Sequence, residues 1–189
     1  LAFNNVHEKW QSISTSSWGS SQALVNSVSD LIADVRAMIT YLGNTSNLVL
    51  DPDLDSYYLM DATLLALPQA IERLGVVANA GFTSFAAGYP IAEAQRFELL
   101  RLASILKESD QERIDSDFAN VFAEDANFHG VSSSLQSTIQ PKLMAYNESI
   151  ENLLSIMNAI ANTSGTTSVE DWNNGLQVAI NRSLELWNT

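Results

Sequence analysis

Three carboxylates at alternate positions, Asp51, Asp53 and Asp55, form the pattern in this chain nearest to a recognisable chemistry, since calcium loops open with that spacing. Such a loop also needs Gly at its sixth position and Glu at its twelfth, where this chain has Ser56 and Ala62. The calcium match fails, and helix capping takes its place. An aspartate there accepts from backbone N–H groups left unpaired at a helix start, and its charge complements the helix dipole. Other chemistries find less support. His7 and His129 are the two histidines, and neither has Glu three residues before it, as the di-iron centres of helical bundles require. Nothing in the spacing supports haem or zinc at either, so both read as exposed histidines. There is no Gly-x-Ser-x-Gly element and no phosphate-cradling glycine loop. The lack of cysteine removes disulfides, thiolate ligands and thiol nucleophiles together. The residues therefore indicate no enzyme, no metal and no cofactor.

Charge bears on what the chain could bind instead. Nine basic residues stand against twenty-two acidic ones, for a formal net charge of −13. That field repels phosphate backbones and anionic headgroups, which argues against nucleic acid and membrane surfaces as partners. In so acidic a chain an arginine beside an apolar seam stands out: Arg36 follows Val35, and Arg73 precedes Leu74. A guanidinium there could bind an organic anion such as a carboxylate in bidentate fashion. Tyr41, Tyr57, Tyr58 and Met60 could add walls and hydroxyls. The competing role for the arginines is pairing with Asp34, Glu72 or other acids, and for the tyrosines core packing with the hydroxyl at the edge. Trp10 and Trp18 lie near one terminus, Trp172 and Trp187 near the other. Core packing suits most of them, with Trp10 and Trp187 the better candidates for a membrane interface.

The elements that must position these residues are helices. Apolar residues recur at spacings of four and three along Leu24, Val28, Leu31, Val35, Met38 and Leu42, and again along Tyr57, Met60, Leu64, Leu67, Ile71 and Leu74. A third seam comprises Leu135, Ile139, Leu143, Tyr146, Ile150, Leu153, Met157 and Ile160. Such runs predict helices packed at small crossing angles, and strand-type alternation is not sustained anywhere. Gly43 to Ser46 reads as a stop, Asp51 as an N-cap and Pro52 as the first residue of a helix that reaches about Ala80 with Pro68 inside it. Residues 81–90 interrupt, and a third helix spans about Ile91 to Asn127, its stretch from Lys107 to Asp117 reading as solvated because Ile114 is the single aliphatic there. A fourth helix starts near Ser132 to Ser134, or closer to Pro141, and a partial fifth carries Val169, Trp172, Leu176, Ile180, Leu184 and Trp187 on one face. Helices one, three and four reach about 30 residues, or roughly 45 Å. The expectation is all-α: an elongated antiparallel bundle of four main helices and a partial fifth over residues 1–189, as one domain or as two stacked sub-bundles sharing long helices. No run is apolar enough to span a bilayer and no signal peptide opens the chain, so it reads as soluble or as a soluble piece of something longer.

The segment Asn47-Leu-Val-Leu-Asp-Pro-Asp-Leu-Asp-Ser-Tyr-Tyr-Leu-Met-Asp61, followed by Leu67-Pro68 and Arg73-Leu74-Gly75, resembles the extracytoplasmic regions of bacterial transmembrane signalling proteins. Methyl-accepting chemotaxis receptors, sensor histidine kinases and some diguanylate cyclases carry such segments between two membrane helices. The similarity is close over about residues 44–76. It implies an all-helical periplasmic sensor domain, a homodimer in the full-length receptor, and membrane contact only through flanking helices outside this chain. The alternative from another class is a module that binds a protein partner or dimerises through an exposed seam.

Overall fold

The structure, a computed structural model, describes residues 2–18, 20–46, 48–50, 53–86, 88, 91–127, 130–162 and 167–189. These residues are all-helical, with no strand among them, and they form six helices rather than four and a partial fifth. Asp51, Pro52 and His129 lie outside the described residues, as does most of the break before the last helix. The chain divides into two compact units, residues 1–52 and 53–189.

The extra helix arises in the first unit. Where one long helix is expected, the chain forms α1 (Ala2–Thr15) and α2 (Ser21–Thr45). Ser20 holds extended backbone between them, and its Oγ accepts from the N–H of Ala23 at 3.2 Å. Serine side chains offer the backbone such local partners, which makes a serine-rich stretch a poor helix interior. Helix α2 runs through Gly43 instead of stopping there, and the N–H of Ser46 closes it on the carbonyl of Leu42. An ion pair between Lys9 and Asp34 joins the two helices. The α2 seam is only partly covered: Leu31 is buried, whereas Leu42 is 56% exposed.

The second unit begins with Asp53, buried and extended, at the N-cap of α3 (Leu54–Met60). A π turn (Asp61–Ala66) follows, then α4 (Leu67–Ala86), so residues 54–86 are one continuous helix. Pro68 accounts for the π turn. It has no N–H to give, and in α register its ring would press on the carbonyl of Leu64. The turn widens instead, and the N–H of Leu67 bonds to Ala62, five residues back. In that register Pro68 would answer the carbonyl of Thr63, and the indole Nε1 of Trp187 donates to it instead, at 2.8 Å. The helix then passes the stop expected near Ala80. Gly81 is buried under Trp172, where an added Cβ would lie 2.0 Å from the indole ring, so the glycine serves close packing inside a helix.

The second long helix, residues 93–124, has the same plan: α5 (Glu93–Ile105), a π turn (Leu106–Gln111) and α6 (Glu112–Glu124). Then come α7 (Leu135–Ala161), which starts at Leu135 and keeps Pro141 inside, and α8 (Val169–Trp187). Contacts fix the topology of this unit. Arg96 donates to the carbonyl of Ala161 and Gln111 to Asn147, which sets 93–124 antiparallel to α7. Trp172 on Gly81 and Trp187 on Thr63 set α8 antiparallel to 54–86. Helix 54–86 meets 93–124 start to end, and α7 meets α8, so the unit is an up-down-up-down helical bundle.

Its core follows the third seam closely. Ile139, Tyr146, Ile150, Leu153, Met157 and Ile160 are buried, and Leu135 and Leu143 pack at the edge. Burying each large apolar side chain contributes about 1.5–3 kcal/mol. Helix α8 is turned from its expected face: Trp172, Gly175, Ala179, Ser183 and Leu186 are inside, while Val169 and Leu184 are exposed. The small residues let α8 approach its neighbours closely, so they rather than the aliphatics define its inner face.

Candidate functional site

The stretch expected to be solvated holds a buried polar layer. Asp110, Gln111 and Asp117 are buried together with Ile114. The second π turn turns Asp110 and Gln111 inward. Asp110 accepts from Gln69 Nε2 at 3.0 Å and from Arg73 Nε at 2.9 Å, and its carboxylate is fully covered. Gln111 Nε2 donates to Asn147 Oδ1 at 3.0 Å, Asn147 donates to Asp115, and Lys107 pairs with Glu151 further along α7. On the other side Arg113 donates to both oxygens of Asp61, at 3.0 and 2.8 Å. Charges removed from water are tolerated when paired and hydrogen-bonded in this way.

Two buried groups in the layer are incompletely satisfied. Among the described residues neither Oδ2 of Asp117 nor the hydroxyl of Tyr146 has a hydrogen-bond partner. Burial, and then the hydrogen bond and charge of Asp61, push the Asp117 carboxyl up to about 7, against a smaller opposing pull from Arg113. Burial raises Tyr146 as well, with Asp110 and Asp115 adding to the effect, so its phenol keeps its proton.

A cleft of about 340 Å³ opens at the end of the bundle where 54–86 starts and α8 finishes. All four helices or their flanks contribute: Leu59 and Thr63, Phe118, Ser132, Ser134, Leu135, Thr138 and Ile139, and Leu186, Trp187 and Thr189. Among the described residues its lining carries hydroxyls and apolar walls but no charged side chain. A more open depression of about 440 Å³ lies between α7 and α8, lined by Asn152, Asp171 and Asn174 among others.

The residues singled out in the sequence are not gathered at either place. Arg36 and Tyr41 sit on α2 in the first unit, Arg36 half-buried and Tyr41 exposed. Tyr57, Tyr58 and Met60 are on α3, where the two tyrosine rings meet edge-to-face at 5.4 Å and Met60 is buried. Arg73 is on α4, sixteen residues beyond Tyr57 on one helix, or about 24 Å at 1.5 Å per residue. Of the six, Arg73 alone belongs to the polar layer, and its partner is Asp110, one of the "other acids" of the competing role. None of the six lines the cleft. Trp172 is a core residue, Trp187 bridges to Thr63, Trp18 donates to the carbonyl of Ile13, and Trp10 is exposed. His7 shares a hydrogen bond with Gln11.

The cleft and the acids Asp110 and Asp117 lacked an obvious sequence signal. Gln69 and Arg73, one turn apart on a helix otherwise apolar at its core, are the usable clue to a buried acid opposite. No family model, curated protein or solved structure matches this chain. Among the described residues no helix is long and apolar enough to cross a membrane.

Proposed function

We propose that this chain is the periplasmic sensor domain of a membrane-bound bacterial signalling receptor, in which a small solute bound between helices shifts one helix against its neighbours. The end cleft supports this reading best. It touches the first turns of helix 54–86 and the last turn of α8 together, so a solute that prefers one spacing of these helices displaces the entering and leaving segments of the bundle. Apolar walls with a few hydroxyls suit a small solute. With no charged side chain among the described residues of the lining, an uncharged solute suits this cleft better than the organic anion that Arg36 and Arg73 suggest. The reading gives the chain no catalytic step and no cofactor, and places membrane contact in flanking helices. A thermal-shift screen over uncharged solutes, amino acids, amines and organic acids tests it, because a ligand of the folded state raises Tm by mass action. The expected result is a stabilising compound whose effect disappears in Thr138→Trp, which fills the cleft from an exposed position. Failure of every compound would overturn solute sensing.

One observation favours a second reading, a dimerising or partner-binding module. The α2 seam leaves Val28 and Leu42 exposed, and Tyr41 on the same helix is exposed beside Leu42. Sedimentation of the wild type against Leu42→Glu separates the readings: a dimer lost in the variant supports the module, and a monomer in both removes it.

A further inference from the structure

We propose that Asp61 and Asp117 form a proton-operated latch between helices 54–86 and 93–124, a second input to the bundle that does not depend on any solute in the cleft. Asp61 is the first residue of one π turn, and Asp117 lies one turn beyond Arg113 on the facing helix. Among the described residues Arg113 is the one cation hydrogen-bonded to the pair, and both of its bonds go to Asp61. Asp117 is 7% exposed, with one oxygen lacking any partner among the described residues. Two carboxyls facing each other in a covered site with one guanidinium cannot both ionise at low cost, and a shared proton turns their repulsion into a hydrogen bond. The raised titration of Asp117, from its burial first and then from Asp61, agrees with that geometry.

Other charged groups on the packed elements have separate engagements. Asp110 is held by Gln69 and Arg73, Asp115 by Asn147, and Lys107 by Glu151. Asp55 on α3 bonds within its own turn to Ser56. Glu108, Glu112, Glu124 and Glu148 are exposed or half-buried, as is Lys142 on α7, and Tyr146 remains neutral. Asp61 stands at the start of one π turn and the other π turn lies on the facing helix, so loss of the bridging proton pushes the two helices apart where their packing is already irregular.

The sign follows from linkage. Asp117 holds its proton more tightly folded than unfolded, so its contribution to stability is complete below the ordinary carboxylate range and is lost as pH rises through about 7. The test uses the whole chain, melted from pH 5 to 8.5, together with spin labels on Leu54→Cys and Ser116→Cys. Both sites are exposed, and the chain has no other cysteine. The expected result is a Tm that falls from pH 5 and levels off above about 7, and a label distance that lengthens by about 1–2 Å with a midpoint near 7. Asp117→Asn, whose amide donates permanently to Asp61, should hold both readouts at their low-pH values throughout. Replacing both histidines, His7→Gln with His129→Gln, should leave the midpoint in place. A flat wild-type profile, a midpoint removed with the histidines, or a distance change that survives in Asp117→Asn would overturn the latch. If Asp117→Asn does not fold, Asp61→Asn decides: loss of the transition supports the latch and its persistence overturns it.

Discussion

Residues 1–52 and residues 53–189 carry apolar seams of equal regularity, yet only the second set closes a core. Ile150, Leu153 and Met157 on α7 are fully covered, whereas on α2 Leu31 is buried and Val28 and Leu42 stand 36% and 56% exposed. The difference lies in what surrounds each seam. Helix α7 has neighbours on two sides in a bundle of four, and α2 has the fourteen residues of α1. Periodicity makes a helix amphipathic; burial depends on how many other faces arrive to meet it.

The sharpest way to break this contrast is to cut the same side chain in both places. Leu153→Ala should cost about 4 kcal/mol, the transfer of its methyl groups plus a cavity that a four-helix core cannot collapse. Leu42→Ala should stay within about 0.5 kcal/mol, as surface truncations do. Denaturant melts of the two variants measure both. Equal losses would mean that the α2 seam is covered in solution by something other than its own unit.

Next in size is the polar layer, which the first unit lacks among its described residues. Arg73→Met leaves the carboxylate of Asp110 fully covered with Gln69 as its remaining partner, and about 3 kcal/mol should be lost at neutral pH. The apolar stem of methionine keeps the packing, so the loss reports the charge. A variant as stable as the wild type would show that water reaches Asp110.

The same contrast explains which parts of the molecule were legible in the sequence. The α7 seam was readable residue by residue because its aliphatics face a core on every turn. The helical class was readable for the same reason. The face of α8 was not, because close helix approach places Gly175, Ala179 and Ser183 inside, and small residues carry no hydrophobic signal. The polar layer was hidden by the same rule in reverse: Asp110, Gln111 and Asp117 look solvated unless Gln69 and Arg73 are known to face them. The break before α2 lay in plain view in Ser16, Ser17 and Ser20, but the uninterrupted seam further along outweighed it. Pro68 is legible as an interior residue of its helix, but Gly81 misleads, because glycine is a helix breaker by propensity. Tertiary partners, Trp187 for one and Trp172 for the other, make each compatible with a helix that continues.

Gly81 therefore offers a third, smaller test. Gly81→Ala raises intrinsic helix propensity, yet its Cβ would fall 2.0 Å from the Trp172 ring and must displace it. Overpacking of that kind should destabilise by about 2 kcal/mol. Adding Trp172→Leu to the variant should make the alanine neutral or favourable relative to Trp172→Leu alone, which a melt of the double variant checks. Persistence of the full penalty without the indole would place its cause elsewhere.

The smallest effect compares the caps that open α2 and α8. Ser168 makes a reciprocal cap: its Oγ accepts from the N–H of Asp171 at 3.0 Å, and its own N–H and hydroxyl donate to the Asp171 carboxylate. Those hydrogen bonds, the hydroxyl's first, hold Asp171 below the usual carboxylate range. Its contribution is therefore present above that range and fades as pH falls through the lowered value. The Oγ of Ser20 accepts from the N–H of Ala23 at 3.2 Å, and the first turn of α2 holds no acidic residue to answer it. Ser168→Ala should cost about 1 kcal/mol and Ser20→Ala about 0.5 kcal/mol. Amide hydrogen exchange resolves both, because each loss should speed exchange in the first turns of its own helix. Lowering the pH should shrink the Ser168→Ala effect and leave that of Ser20→Ala unchanged, since only one of the two caps contains a group that titrates.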